Sequence, residues 1–582
     1  MFNKIERSET GVLNMHYPIR VLILVILSAC MTGCATYSQD IRKGLELVEQ
    51  QQYAQAATVL EQALDPKGND RLLYYTELGV VYHLSGDYQK SNQLFDSAER
   101  IAEDLYTKSV SDIIVTAMSN PRQGPYRAAD FERVLINYYK ALNFLMLAVA
   151  ADSRSAKVDA LEGARIETRR MNLVLSSIEY NKGSYEEQAE REKSLFNKLM
   201  RVFDKLTGEI IDKDKIVYRN DAFGHFLAGT IYENHKEYDN ARIAYQKAAT
   251  LYENGYQQQY SLDASMTQQA WFDTIRMMQK AGGWNNQWPK LSQDKLTQAK
   301  RMELKDFNDK GHLLVIEHVG IVPERKEMNM IFYADTNTRQ IAISPILSGT
   351  PSMQLDQRFW FFALYADKGI TDLLSAVYEE RVVTSLLQFG LTKREYLGPL
   401  WDVVEGLGLV DIMKQGLRVT VPYYGVTSFK LPKSSKLMFN GQSEDMIVGQ
   451  SLAHIAVQQQ LLTASGDLQE AMAREAFKGL TAAKVASLVG DGNAQAEAVF
   501  SFLGKITTAA TSSAETRNWL TLPGQIRVKR IALEPGHHEL ELISELADGS
   551  VKMHTNSVNI QKGEMLVWKV RSFLKKPAGD VN

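Results

Sequence analysis

The sequence predicts a mainly α-helical fold with added β-structure: a helical-repeat solenoid first, a mixed α/β middle, and a small antiparallel β-domain last. Three observations indicate this fold class. Helical hairpins with small and large residues at matching positions recur before residue 282. The hydrophobic period shortens from helical to strand-like near residue 310, and alternating runs separated by turns fill the chain from Gln525.

The amino-terminal segment has the pattern of a secretory signal. Arg20 precedes an apolar run at 21–29, which is shorter than the about 20 residues that a membrane span requires. The motif Met-Thr-Gly-Cys that ends at Cys34 resembles the bacterial lipobox. This resemblance implies that 1–33 is a lipoprotein signal peptide and that Cys34 carries diacylglycerol on its sulfur and an acyl chain on its amine. The alternative is an ordinary signal in which Cys34 is incidental. We expect translation to start at Met15, where a compact positive region begins.

Composition excludes some classes of function. The 582 residues are 45% apolar and 23% charged, which is ordinary for globular protein. The formal net charge of -3 predicts no nucleic-acid partner. The chain has two cysteines, Cys30 and Cys34, so the mature protein beyond its lipidated residue is expected to lack thiols and disulfides.

A helical repeat is the next feature along the chain. Residues 75–98 fit the tetratricopeptide (TPR) pattern of two antiparallel helices in about 34 residues, with a looser copy at 44–66 and a third copy at 229–248. Amphipathic hairpins without a true repeat are the alternative. We expect 34–282 to form a TPR-like α-solenoid with a concave groove. The candidate groove residues are Tyr74, Tyr138 and Asn143.

The second half divides by its changes in hydrophobic period. The predicted segments are a linker with short β-strands at 283–350, a helical insertion at 351–416, a β-run followed by long helices at 417–523, a small β-sandwich-like domain at 524–574, and a tail at 575–582.

Several blocks together resemble a family of TPR-containing lipoproteins from Gram-negative bacteria. The blocks are the lipobox, FERVL at 131–135 with YYKAL at 138–142, the repeat at 229–248, GIVPERKE at 320–327, VPYY at 421–424, AREAFK at 473–478 and TRNWLTLP at 516–523. The resemblance covers most of the mature chain, and the helical stretch at 356–416 departs from it. It implies a location and an architecture, and it implies no activity.

The sequence has no enzyme signature. It contains no Gly-x-Ser-x-Gly elbow, no His-Glu-x-x-His helix and no Walker loop. In a strand, His312 and His318 share one face while Glu317 points to the other, so they are not expected to bind a metal together. We therefore predict no cofactor, no metal and no catalytic residue. Carboxylate pairs at 379–380 and 444–445 keep open the alternative of an envelope enzyme that acts on peptidoglycan or glycan.

Three further side chains are candidate partner contacts. Arg474 and Lys478 are four residues apart and share one helix face. They indicate either a basic cluster that binds an anionic partner group or a solvated or ion-paired helix face. Trp519 indicates either a partner anchor or a plug where helices join the β-domain.

The function expected from these features is that of an adaptor. A lipid anchor and a TPR-like groove predict a protein that scaffolds a complex of cell-envelope proteins, with those partners unidentified. Homo-oligomerisation, as in an assembly lipoprotein of a surface or secretion apparatus, is a second alternative. Ala35 follows the acylated cysteine, whereas inner-membrane retention typically uses Asp there. The expected location is therefore the outer membrane, facing the periplasm.

Overall fold

The computed structural model describes residues 37–106, 121–189, 220–260, 262–365, 392–406, 408–425, 434–479, 513–545 and 551–573. The signal peptide, Cys34, the carboxylate pair at 379–380 and the tail at 575–582 lie outside these ranges. The backbone of Lys478 is described within a helix, but its side chain is not.

Helices fill the described chain as far as residue 307. Those of eight or more residues are α1 (Tyr37–Glu49), α2 (Tyr53–Ala63), α3 (Arg71–Ser85), α4 (Tyr88–Tyr106), α5 (Asp130–Val149), α6 (Arg154–Ala189), α7 (Ala222–Asn234), α8 (Tyr238–Leu251), α9 (Ser265–Ala281), α10 (Trp288–Lys295) and α11 (Gln298–Phe307). Small residues let neighbouring helices approach. A Cβ atom on Gly79 would lie 2.7 Å from the Phe95 ring, and one on Gly229 would lie 2.5 Å from the Tyr245 ring. None of the described helices has the length and apolar character of a membrane span.

Strands dominate the remainder, with shorter helices between them. The strands are β1 (Gly311–Val319), β2 (Arg325–Asp335), β3 (Gln340–Ile346), β4 (Lys393–Tyr396), β5 (Leu417–Tyr424), β6 (Ser434–Phe439), β7 (Gln442–Asp445), β8 (Ile447–Ser451), β9 (Gln525–Leu533), β10 (Gly536–Glu545), β11 (Val551–Ile560) and β12 (Met565–Ser572). The helices are α12 (Pro351–Tyr365), α13 (Leu400–Gly406), α14 (Leu409–Lys414) and α15 (Leu452–Gly479). The prediction of a mixed α and β protein with antiparallel sheets in its second half is confirmed.

Within the described ranges the strands form three four-stranded sheets. Their orders are β12-β1-β9-β8, β11-β10-β6-β7 and β4-β3-β2-β5. All strand pairs are antiparallel except β1 with β12, which are parallel. We call the first the central sheet and the second the outer sheet.

The separate β-sandwich predicted at 524–574 is wrong. Its strands β9 and β12 lie on either side of β1, and its hairpin β10–β11 extends the pair β6–β7. The end of the chain therefore completes two sheets that begin far upstream. The parallel pairing of β1 with β12 also corrects the expectation of a purely antiparallel arrangement.

The predicted linker and helical insertion also differ from the structure. The first part of 283–350 forms α10 and α11 before the strands begin, and 351–416 includes the strand β4 as well as helices. β4 pairs with β3 through four residues, which makes it a short edge strand. In the long helical stretch that follows, 447–451 is the strand β8, and α15 begins only at Leu452.

The central sheet is covered on both faces. Every residue of β1 is buried. Leu314 and Ile316 belong to the large core shared with the helices, whereas Leu313 and Val315 belong to a second core shared with the outer sheet. The order of layers is therefore helices, central sheet and outer sheet, which explains why β1 lacks the polar alternation of a half-exposed strand.

Candidate binding site

The segment 514–522, which we call the strap, lies between the helices and the central sheet. Trp519, at its centre, is 1% exposed. Its indole ring lies 5.8 Å from the Phe95 ring and 5.9 Å from the Tyr139 ring, centroid to centroid. Its indole N–H donates to Thr521 Oγ1 at 3.0 Å. Trp519 is therefore not a surface anchor. It fills the junction between the helices and the central sheet, as the second of the two sequence-based interpretations of Trp519 predicts.

Two buried carboxylates hold the strap by its backbone. Glu77 of α3 accepts hydrogen bonds from the Leu520 N–H at 2.7 Å and the Thr521 N–H at 2.9 Å. Glu132 of α5 accepts one from the Trp519 N–H at 3.0 Å. Burial raises the pKa of both carboxyl groups, and that of Glu77 rises to about 7 although its hydrogen bonds oppose the shift. These groups serve the structure because their acceptor atoms are used within the fold.

Arg517 joins the beginning of the strap to the loops that precede α3 and α5. Its guanidinium donates to Asp70 Oδ1 at 2.8 Å, to the Pro121 carbonyl at 2.9 Å and to the Gly124 carbonyl at 3.0 Å. The guanidinium also donates two hydrogen bonds to the Glu515 carboxylate. The negative charges of Glu515 and Asp70 raise the pKa of Arg517 further above its usual range. The motif at 516–523 thus joins the two halves of the protein.

Two of the three predicted groove residues are not accessible, so that part of the prediction is wrong. Tyr138 is 2% exposed, and its hydroxyl lies 2.8 Å from His318 Nε2 on β1. Asn143 has no exposed surface and donates to Ser91 Oγ and Asn92 Oδ1, each at 2.8 Å. The reason is that the central sheet and α4 pack directly on α5. Tyr74 is partly exposed, with its ring 5.1 Å from that of Tyr75, and it stays a candidate.

Histidines in the core are neutral and do not gather as metal ligands. Burial lowers the pKa of His83 and His318 well below the usual range, and it lowers that of His312 to about 2. The His312 ring stacks on the Phe307 ring at 4.7 Å. No group of side chains suited to a metal occurs in the described part of the chain.

An ionic cluster that the sequence did not reveal joins the helices to the central sheet. Glu233 of α7 and Asp273 of α9 contact two arginines, Arg276 of α9 and Arg530 of β9. Arg530 also donates to the Tyr245 hydroxyl at 2.7 Å. All four charged side chains are at most 2% exposed. Lys280 Nζ also contacts Glu233 Oε1 at 3.2 Å, so three cationic side chains surround the two carboxylates.

Arg474 does not form an exposed basic surface. Its side chain is 6% exposed, and burial lowers the pKa of its guanidinium even though Glu470, Glu475 and Asp467 oppose the shift. The interpretation as a basic cluster that binds a partner is therefore wrong for Arg474. The side chain of Lys478 lies outside the described residues.

The remaining carboxylate pair does not converge on one point. Glu444 Oε2 accepts from Lys529 Nζ at 2.8 Å, across to β9. Asp445 is the next residue of β7, so its side chain points to the opposite face. This arrangement lacks the facing carboxyl groups that glycoside hydrolysis uses.

A solvent-accessible cavity of about 350 Å³ lies where the two sheets meet the helix ends. We call it the edge cleft. Its lining is Leu145, Ala148 and Val149 of α5, Lys157 and Leu161 of α6, Asn234 of α7, residues 556–559 of β11, Glu564, and residues 565–567 of β12. Its volume is within the range of pockets that bind ligands, which is about 300–1,000 Å³. None of the residues predicted from the sequence lines it.

The edge cleft combines an apolar wall with polar groups. Val149, part of the apolar wall, is 52% exposed. Lys157 Nζ lies 3.2 Å from Glu564 Oε1, so the two charges in the lining cancel. Asn234 Nδ2 donates to the Met565 carbonyl at 3.4 Å. The lining suits binding of an uncharged group better than acid–base chemistry.

No protein-family model and no curated protein sequence matches this chain.

Proposed function

We propose that the chain is a lipid-anchored adaptor of the Gram-negative cell envelope, held at the outer membrane through Cys34, which binds a partner protein on its periplasmic side. The edge cleft is the observation that carries the binding function. It offers apolar and hydrogen-bonding surface, whereas the buried ionisable groups described above are engaged in internal contacts. The lipobox-like motif supports the anchor.

The helices α1 to α9 are, in this proposal, a TPR-like array. Support comes from glycines that face large aromatic rings across helix pairs, at Gly79 with Phe95 and at Gly229 with Tyr245. In such arrays small residues sit where large ones of the neighbouring helix insert. In this proposal the partner does not bind in a groove of the array. The side of α5 that carries Tyr138 contacts the strap and the central sheet of the same chain instead.

The adaptor function is tested by chemical crosslinking in intact native cells, followed by purification of the lipidated protein and identification of the crosslinked proteins. We expect one or a few envelope proteins to be recovered reproducibly. A Cys34→Ser protein, exported but not acylated, serves as the control and should lose most of this recovery, because tethering raises the local concentration of partners by about 10²-fold or more. Recovery of no partner would contradict the function.

A further inference from the structure

The lining of the edge cleft shows which part of each sheet faces it. It contains four consecutive residues of β11 and consecutive residues at the start of β12. Successive side chains of a strand point to opposite faces, so a cavity lined by consecutive residues lies along the strand's edge. The other edge of β11 is paired with β10, and that of β12 with β1. Among the strands that the structure describes, the cleft therefore lies at edges of both sheets that pair with no further strand.

Unpaired strand edges are normally protected, and the other described edge strands show the usual devices. β4 and β7 have four residues each and carry charged side chains. β5 contains Pro422, and β8 is short with an irregular register after Val448. The part of β12 beyond the cleft carries Lys569 and Arg571.

β11 lacks these devices where it lines the cleft. It has ten residues, and its register with β10 is unbroken from Val551 to Ile560. Its one lysine, Lys552, is near the beginning, while 556–559 reads Asn-Ser-Val-Asn, with neither charge nor proline. In an antiparallel pair, alternate residues direct both N–H and C=O away from the partner strand. The edge of β11 thus presents backbone donors and acceptors to the cleft.

We infer that the edge cleft binds an extended segment of a partner protein, which adds to β11 as a fifth strand of the outer sheet. This inference rests on the proposed adaptor function and names the chemistry of the partner. The segment is short, since four residues of β11 span about 13 Å. It carries no net charge, because Lys157 and Glu564 already neutralise each other. Its alternate side chains are apolar and contact Val149 and Leu161, which have exposed surface in the lining.

β11 is the strand that receives the segment, rather than β12. At the start of β12 the Met565 carbonyl already accepts a hydrogen bond from Asn234, and Met565 and Val567 are buried. Ser557 and Asn559 of β11 are exposed. A second copy of this chain is the other possible occupant, and the crosslinks described below distinguish it from a partner protein.

Two neighbouring proline substitutions test the added strand in the full-length lipidated protein. Ser557 lies opposite Glu539 of β10, and Val558 lies opposite His538. Adjacent residues alternate in direction, so one of the two N–H groups faces β10 and the other faces the cleft. We expect the S557P and V558P proteins to differ. The variant whose N–H faces the cleft keeps the wild-type midpoint of thermal unfolding, whereas the other lowers it.

Photo-crosslinking in native cells supplies the readout for binding. A photoreactive amino acid is placed at Asn559 or at Leu161 on the opposite wall, and at Glu541 on the exposed face of β10 as the matched control. We expect both cleft positions to capture one contiguous stretch of a single partner, and Glu541 not to. The proline variant that keeps its stability should reduce the yield by about tenfold, as the loss of one or two hydrogen bonds predicts.

The outcomes separate this inference from the adaptor function. If the stable proline variant captures the partner with the wild-type yield, or if capture occurs at Glu541 alone, the added strand is contradicted. The adaptor function is not contradicted by either result. Crosslinks between two copies of this chain at the cleft positions also overturn it. Absence of any partner, both here and in whole-protein chemical crosslinking, contradicts both proposals.

Discussion

Replacing Arg530 with methionine is expected to lower the free energy of unfolding by about 3–5 kcal/mol, the usual cost of removing one partner from a buried ion pair. Arg530 has no exposed surface and contacts Glu233 at 3.0 Å and Asp273 at 3.3 Å. Without it, Arg276 and the partly buried Lys280 are left to balance both carboxylates. Because Arg530 lies on β9 and its partners lie on helices, the loss weakens contact between these layers.

Lys529 provides a matched control for Arg530 on the same strand. It points to the opposite face and pairs with Glu444, which is 47% exposed. An ion pair of this kind contributes about 0–1 kcal/mol, so K529M should shift the unfolding midpoint little. Circular dichroism of the detergent-solubilised proteins during urea or thermal unfolding measures both effects. Similar shifts in the two variants would show that the ionic cluster does not hold the layers together.

Replacing Glu77 with alanine is expected to produce the second large loss of stability, about 3 kcal/mol or more. The substitution leaves the N–H groups of Leu520 and Thr521 and the Tyr37 hydroxyl without their acceptor. Each buried polar group left without a partner costs about 1–3 kcal/mol. The strap should also become accessible, which limited proteolysis near Trp519 would detect. Exposed Glu61 of α2 is the control, since E61A should leave both stability and proteolysis unchanged.

Glu77 also gives stability a pH dependence of definite sign. Burial raises the pKa of its carboxyl from the ordinary 4.5 to about 7. The folded state therefore binds this proton more tightly than the unfolded state does, and the contribution is lost as pH rises from about 4.5 to about 7. We expect the wild-type midpoint to decline over this window more steeply than that of E77Q. Equal slopes in the two proteins would contradict the raised pKa.

The sequence predicted elements that depend on local pattern. The change to a strand-like period near residue 310 coincides with the start of β1, and the alternating runs from Gln525 begin with β9. Period and turn residues act over a few neighbours, so they can be read without knowing the fold. Most of α5 is buried, including Tyr138 and Asn143, and a helix this rich in apolar residues fits a packed position better than the wall of an open groove.

The sequence could not show what depends on distant partners. An alternating strand such as β12 has the same pattern whether its neighbour is parallel or antiparallel, so its pairing with β1 was missed. Arg530 and Glu233 look like surface residues until strand and helix are brought together. The edge cleft arises from two sheet edges and three helix ends, and no local motif marks it.

Attachment of Cys34 to the membrane is the condition on which the adaptor function depends. It is measured by mass spectrometry of the amino-terminal peptide of the protein purified from native membranes. We predict a peptide that begins at Cys34, with diacylglycerol on the sulfur and an acyl chain on the amine. A peptide that begins upstream of Cys34, or one in which the Cys34 thiol is free, would contradict the anchor and with it the adaptor.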